Sequence, residues 1–251
     1  MSAKHGPRLQ IDGSMAVFTL DRPDRGNALS IDLVEAGLAA VDAAVRDPQV
    51  HTLVLRGAGR HFCTGFDLSE LDSESDATLL ARVVRIEQLL DAVWRAPLRT
   101  VAIAQGRIMG AGADLFAVCD HRLLSAAASL RFPGAGFGLV LGTRRLGRRV
   151  GADRALRWVS EGTTIDAAQA LSTGLASALL PDDVDAASAQ ALALLPPLTV
   201  DRVTHGQLRA ALDDGGADAD LAALVRSAAR PGLKQRIVSY RERQLAARAP
   251  G

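Results

Sequence analysis

"QGRIMGAGADL", residues 105–115, sets glycines at 106, 110 and 112 ahead of one acid, Asp114, and an apolar run. Glycine lacks a Cβ, so it suits places where the backbone turns sharply or approaches something closely. The segment follows "RTVAIAQG" (99–106), which reads as an apolar strand, and leads into a helix predicted from near Gly110 to Cys119. A loop entering a helix turns free N–H groups toward the positive end of the helix dipole. Two readings are open from these residues alone. The glycines permit close helix–strand packing, or they let a ligand oxygen reach those N–H groups and be held as charge develops on it.

The common glycine-rich sites fit poorly. In a dinucleotide fingerprint the third glycine would fall on Leu115, and the ribose-binding acid is missing, since no Asp or Glu lies between Asp120 and Asp153. "GTRRLGRR" (142–149) has the glycine spacing of a phosphate loop without its Lys-Ser/Thr ending, and no GxSxG nucleophile elbow occurs.

Outward from this segment, strands and helices alternate. "RLQIDGSMAVFTL" (8–20) predicts a hairpin turning at Asp12-Gly13. "SIDLVEAGLAAVDAAVRD" (30–47) has helical spacing with Ser30 as N-cap and Pro48 beyond its end. "HTLVLRG" (51–57) reads as a buried strand, and residues 76–95 as the longest amphipathic helix, stopped by Pro97. "DHRLLSA" and "SLRF" suggest further short strands. From about residue 143 helices dominate, closing with "PGLKQRIVSYRERQLAAR" (231–248). The pattern predicts an α/β fold with a helical C-terminal portion.

Composition narrows the classes. The 251 residues are 48% hydrophobic with a formal net charge of +1, which gives no electrostatic reason to expect nucleic acid or an anionic membrane as partner. Cys63 and Cys119 form no CxxC pair, as suits a reducing, cytoplasmic setting, and the five scattered histidines predict no metal site. No run approaches the roughly 20 apolar residues of a membrane span. The polar start "MSAKHGPRLQ" lacks a signal peptide's apolar core, so the protein is expected to stay where it is made.

Four segments in order, "DRPDRGNALS" (21–30), "GAGRHFCTGFDLSEL" (57–71), "VAIAQGRIMGAGADLFAVCDHRLLSA" (101–126) and "FPGAGFGLVLGTRRLGRRVG" (132–151), together resemble the crotonase family of enoyl-CoA hydratases and isomerases. "LVRSAARPGLKQRIVSYRERQ" resembles that family's closing helix. The resemblance implies a spiral of ββα units over residues 1–190 and a helical trimerisation region over 191–251. It implies a homotrimer or dimer of trimers, a role in fatty acid metabolism as a lyase or isomerase, and an acyl-CoA thioester as ligand. No tightly bound cofactor is implied; coenzyme A enters as part of the substrate. The thioester oxygen would sit between the backbone N–H groups of Phe66 in "CTGFDL" and Ala111 in "GAGADL", where the family usually has Gly. Phe66 is bulkier than the common Ala; its ring alone reads as a core aromatic.

The family's hydratases place water with two glutamates. Asp114 falls where the first lies, one methylene shorter, so its reach is less by about 1.5 Å. The second follows a proline; here Pro133 is followed by Gly134, and residues 121–152 contain no acid. About two residues are also missing near Val140 to Gly142 relative to the family's glycine-rich turn. Asp114 is therefore the candidate acid/base, with the alternative that it merely stabilises a helix start. Asp67 and Asp120 match family positions that more often hold loops by hydrogen bonds. Candidates for the CoA and substrate contacts are Arg22, Arg25, Asp67, Gly110, Lys234 and Tyr240. The run Arg122, Arg131, Arg144, Arg145, Arg148, Arg149 reads first as a solvated face, with pairing to a substrate carboxylate or CoA phosphate as the alternative.

Three functions fit: an enoyl-CoA hydratase or isomerase working with one carboxylate, an acyl-CoA-binding protein without turnover, and a hydrolase or decarboxylase sharing the oxyanion chemistry.

Overall fold

The computed structural model describes residues 6–181 and 195–247. The 190/191 boundary expected from the sequence lies outside the described residues.

The chain opens with the hairpin β1 (Arg8–Asp12) and β2 (Met15–Leu20), paired antiparallel. Asp12 still pairs with Met15, so the loop is Gly13-Ser14 rather than Asp12-Gly13, with Gly13 at φ +53°. The positive φ of a tight hairpin turn falls on the glycine. Helix α1 (Ile31–Arg46) starts at Ser30, whose hydroxyl accepts from Leu33 N–H at 3.3 Å. Strand β3 (Thr52–Gly57) follows, then α2 (Asp76–Arg95), the length expected from its periodicity, begun by a Ser75/Thr78 capping box.

Next come β4 (Arg99–Ala104), β5 (Arg107–Met109), α3 (Ala111–Val118), β6 (His121–Ser125), β7 (Ser129–Arg131), a 3-10 turn (Pro133–Phe137) and α4 (Thr143–Val150). The chain continues through α5 (Ala152–Glu161), β8 (Ile165–Asp166), α6 (Ala167–Ser172) and β9 (Ala178–Leu180). After residue 195 come α7 (Arg202–Leu212), α8 (Ala217–Ala228) and α9 (Leu233–Ala246). Strands β5, β8 and β9, of three, two and three residues, were not legible in the sequence because such short runs show no periodicity.

Strands alternate between two sheets. The larger has the order β1-β2-β3-β4-β6-β9, parallel from β2 onward; the smaller is β5-β7-β8. Two successive turns of the chain lay one strand in the large sheet, one in the small sheet, then a helix: β4-β5-α3 and β6-β7-α4. This is the ββα spiral. Strands β3 and β4 are buried along almost their whole length, as central parallel strands must be. Leu53 and Leu55 face the main core with α1 and α2, while Val54, Val101, Ile103 and Leu123 form a second layer on the opposite face. A third cluster joins Leu79 and Val83 of α2 to Leu224, Leu233 and Ile237 of the C-terminal helices. That cluster brings the end of the chain back over the centre, where the site forms.

Candidate active site

The opening glycines serve both purposes left open above. A Cβ at Gly112 would lie 2.4 Å from the Cys63 carbonyl oxygen, so this residue permits the start of α3 to pack on the 63–67 loop. Gly110, with φ +52° and ψ −126°, is the N-cap of α3 and turns the chain from β5 into the helix. At Gly65 a Cβ would lie 2.6 Å from the Met109 carbonyl oxygen and 3.7 Å from Ala111 N, which sets the loop beside the helix start.

Two peptide N–H groups result. The Gly65 carbonyl accepts from Leu29 N–H at 2.8 Å. In a trans peptide the N–H points opposite to the C=O, so the Phe66 N–H is directed away from Leu29. The Gly110 carbonyl accepts from Ala113 and Asp114 N–H at 2.7 and 3.0 Å, which directs the Ala111 N–H out of the helix. Among the described residues neither Phe66 N–H nor Ala111 N–H has an acceptor. Both residues line one cavity of about 220 Å³.

That cavity is walled by Leu68, Val83, Ile86, Phe132, Leu139 and Leu141, and among the described residues Asp114 is the one charged residue that lines it. Asp114 is 5% exposed and lies in the first turn of α3, but no side chain caps this helix. No hydrogen bond reaches its carboxyl among the described residues. Burial pushes its pKa well above the usual carboxylate range; Glu87 pushes the same way and Arg145 pulls against both. The carboxyl rests against Gly142, the N-cap of α4 at φ +64°, where a Cβ would sit 2.2 Å from Asp114 Oδ1. The shortened Val140–Gly142 turn thus covers the acid with bare backbone.

Behind Asp114 lies an ion-pair network that sequence reading missed. Arg145, fully buried, pairs with Glu87 at 2.5 Å and stands 3.5 Å from Asp91 and 3.3 Å from Asp220. Arg144 binds Asp220 and Asp214. The signal was in the helix of residues 76–95: Arg82 and Glu87 occupy its buried stripe with Leu79, Val83, Ile86 and Leu90. Charges on a buried stripe demand partners.

The arginine run is mostly internal rather than a solvated face, Arg145 and Arg122 being buried while Arg148 alone of the six is exposed. Arg122 donates to the carbonyls of Cys119, Asp120, Gly174 and Leu175. Arg149 donates to Ala117, Val118 and Cys119 and lies over the Trp94 ring at 4.9 Å. Arg131 donates to Gly162 O and Gln244, and Arg148 to Leu212 O.

Of the other candidates, Gly110 and Tyr240 line the same cavity, Tyr240 packing 5.3 Å from Phe137. Arg22 and Asp67 lie together in an adjacent groove, bonded to each other at 2.8 Å, and Arg22 also donates to Ala28 O. Asp67 additionally accepts from Ser69 N–H, so it holds its loop. Asp120 likewise accepts from Thr100 and Arg209. Arg25 is a surface side chain at 60% exposure. Lys234 donates to Asp72 O at 2.7 Å. The two lie apart from both the cavity and this groove. Cys63 and Cys119 are buried thiols pushed up to about 12 by desolvation, which removes a thiolate nucleophile. Among the described residues no group of three possible ligands could hold a metal, and no helix is long and apolar enough to cross a membrane.

Residues 10–219 match the enoyl-CoA hydratase/isomerase family. The chain belongs to that family, the crotonases. It is 32% identical over 183 residues to a protein of Bacillus subtilis (strain 168) assigned as an enoyl-CoA hydratase, covering 70% of each chain. A structure from Bordetella parapertussis, assigned as an enoyl-CoA hydratase/isomerase, superposes with TM-score 0.86 at 42% identity, covering 97% of this chain and 99% of that one. The ethylmalonyl-CoA decarboxylase of Mus musculus is 31% identical over 188 residues, 73% of this chain and 58% of its own length. In this crotonase Gly134, where the family's second glutamate was sought, lines the cavity with no carboxylate of its own.

Proposed function

We propose that this crotonase binds an acyl-CoA, holds its thioester oxygen between the Phe66 and Ala111 N–H groups, and uses Asp114 as the sole acid/base on the resulting enolate. The observation that carries the reading is the pair of unpartnered N–H groups beside one carboxyl in an otherwise apolar cavity. Charge on an enolate oxygen would be stabilised there without reorganisation. One carboxylate suffices for a double-bond shift: it takes a proton from one carbon and returns it to another. A pKa raised by burial brings the giving and the taking of a proton closer in energy, which suits both halves of that exchange. Coenzyme A would come and go with the substrate, and Arg25 is the exposed candidate for its phosphates.

Hydration of crotonyl-CoA should be slow, because Gly134 supplies no second acid, while interconversion of 2-enoyl- and 3-enoyl-CoAs should be readily measured by absorbance. Hydration faster than about 10³ s⁻¹, the upper end of ordinary turnover, would overturn the single-acid reading. A protein that binds acyl-CoAs and turns over none of a broad panel would be a binding protein.

A second reading is decarboxylation of a malonyl-type thioester, favoured by the burial that raises the pKa of Asp114 and supported by the mouse relative. The C–C bond to the departing carboxylate breaks, CO₂ leaves, its electron pair forms the enolate, and the Asp114 carboxyl protonates the α carbon. The pH profile separates the two. Isomerisation needs the carboxylate, so kcat should rise with pH through the raised pKa of Asp114; decarboxylation needs the acid, so kcat should fall through it.

The trimer expected from the sequence is part of the proposal. Val203, Leu208 and Leu212 of α7 are 69%, 52% and 75% exposed in the single chain, as apolar surface awaiting a partner would be. Sedimentation at micromolar concentration should give a trimer or hexamer; a monomer would refute this.

A further inference from the structure

The Phe66 N–H is held by a loop, and something must hold the loop. Residues 66–75 connect the small-sheet side of the spiral to α2, with only the short 3-10 turn Leu71–Ser73 inside. A single side chain, Arg82, ties both of its ends. Arg82 Nη2 donates to the Asp67 carbonyl at 2.8 Å, and Nη1 pairs with Glu74 Oε1 at 2.5 Å. Its guanidinium also lies 4.3 Å from the centre of the Phe66 ring. Arg82 and Glu74 side chains are both only 9% exposed, so the pair is shielded from screening. Its base is firm: α2 is capped by Ser75, and Asp76 accepts the N–H groups of Gly232, Leu233 and Lys234 at the start of α9.

We infer that Arg82 is a positioning residue that aims the Phe66 N–H into the cavity, by gripping the Phe66 ring on one side and the Asp67 carbonyl on the other. The inference rests on the oxyanion reading of that N–H. Phe66 then has a purpose for its bulk: a smaller side chain there would give the guanidinium nothing to lie on. Leu29 N–H holds the Gly65 carbonyl of the same peptide at 2.8 Å, so Arg82 secures the side of Phe66 that this bond leaves free; Asp67 N–H to Leu29 O at 3.3 Å and Arg22 to Asp67 restrain the loop after Phe66 without touching its ring. Arg carries a planar fork of donors that spans two separate acceptors while its face lies on a ring; Lys offers its donors from a single point.

The test uses the whole protein and a chromophoric thioester, 4-dimethylaminocinnamoyl-CoA. Its absorbance moves to longer wavelength as the carbonyl is polarised, and titration gives the affinity separately. Wild type should bind it with a red shift. Arg82→Met should lose more than half the shift per bound ligand, with Arg82→Lys intermediate. Turnover on the true substrate should fall by roughly 10–10²-fold, the scale of a misaimed oxyanion donor. Phe66→Leu keeps the N–H and removes the ring, and should lower the shift in the same direction. This variant and Arg82→Lys decide the matter if Arg82→Met does not fold. A lower melting temperature with an unchanged shift in these variants would make Arg82 merely structural and overturn the inference. A wild type that binds the probe with no shift would overturn the oxyanion reading itself, and the role of Arg82 with it.

Discussion

Asp114→Asn is expected to retain folding and acyl-CoA affinity while lowering kcat by roughly 10²–10⁴-fold, the usual contribution of a general acid or base. The amide is nearly isosteric and can enter the same space against Gly142, but it cannot take and return a proton. Because uniform binding is untouched, the loss should fall on kcat rather than KM. Stability should move the other way. Burial raises the pKa of Asp114, so the folded protein holds its proton at pH values where the unfolded chain has released it. A carboxyl raised in this way contributes stability that is lost as pH rises through its folded-state pKa. The amide has no such loss, so the melting temperature of Asp114→Asn relative to wild type should climb with pH. Near wild-type turnover in the variant would remove Asp114 from the mechanism.

Arg145→Met is expected to be the most destabilising of the single changes considered, by about 3–5 kcal/mol. Arg145 has no solvent exposure and Glu87 is 2% exposed, so the change leaves an unpaired acid inside the protein. For a chain of this size the melting temperature should drop on the order of 10 °C. The deficit should depend on pH. Glu87 is already pushed above the usual glutamate range by burial, with Arg145 pulling it down. Without Arg145 it rises further, so the folded variant loses stability as pH climbs through that pKa and loses least in acid. Arg145→Met with Glu87→Leu should recover most of the loss, since a buried ion pair replaced by apolar groups often costs little. A single variant as stable as wild type across the pH range would show that the network carries little weight.

Most of the scaffold is legible in the sequence. Helix 76–95 follows from an apolar stripe of more than five turns with a following Pro, and strands β3 and β4 from unbroken apolar runs. The candidate oxyanion donors were legible for a different reason. A backbone N–H needs no particular side chain, so Phe66 and Ala111 could be placed from the glycines around them and from the resemblance, despite the departures at both positions. The arginine run misled, because charge in sequence carries no record of the remote carbonyls and acids it will meet.

The sequence by itself determined the alternation of strands and helices, the α/β class, the glycine-lined entry to α3 and the absence of any acid between residues 121 and 152. All of these are local or compositional, set by periodicity, by chain stiffness and by what is missing. Tertiary structure alone decided how Asp114 behaves. Its pKa is raised by burial under Gly142 and an apolar wall drawn from distant elements and by Glu87 brought in on α2, against the pull of Arg145 on α4. Burial and charge pairing depend on distances through space, and a linear order of residues holds none of them.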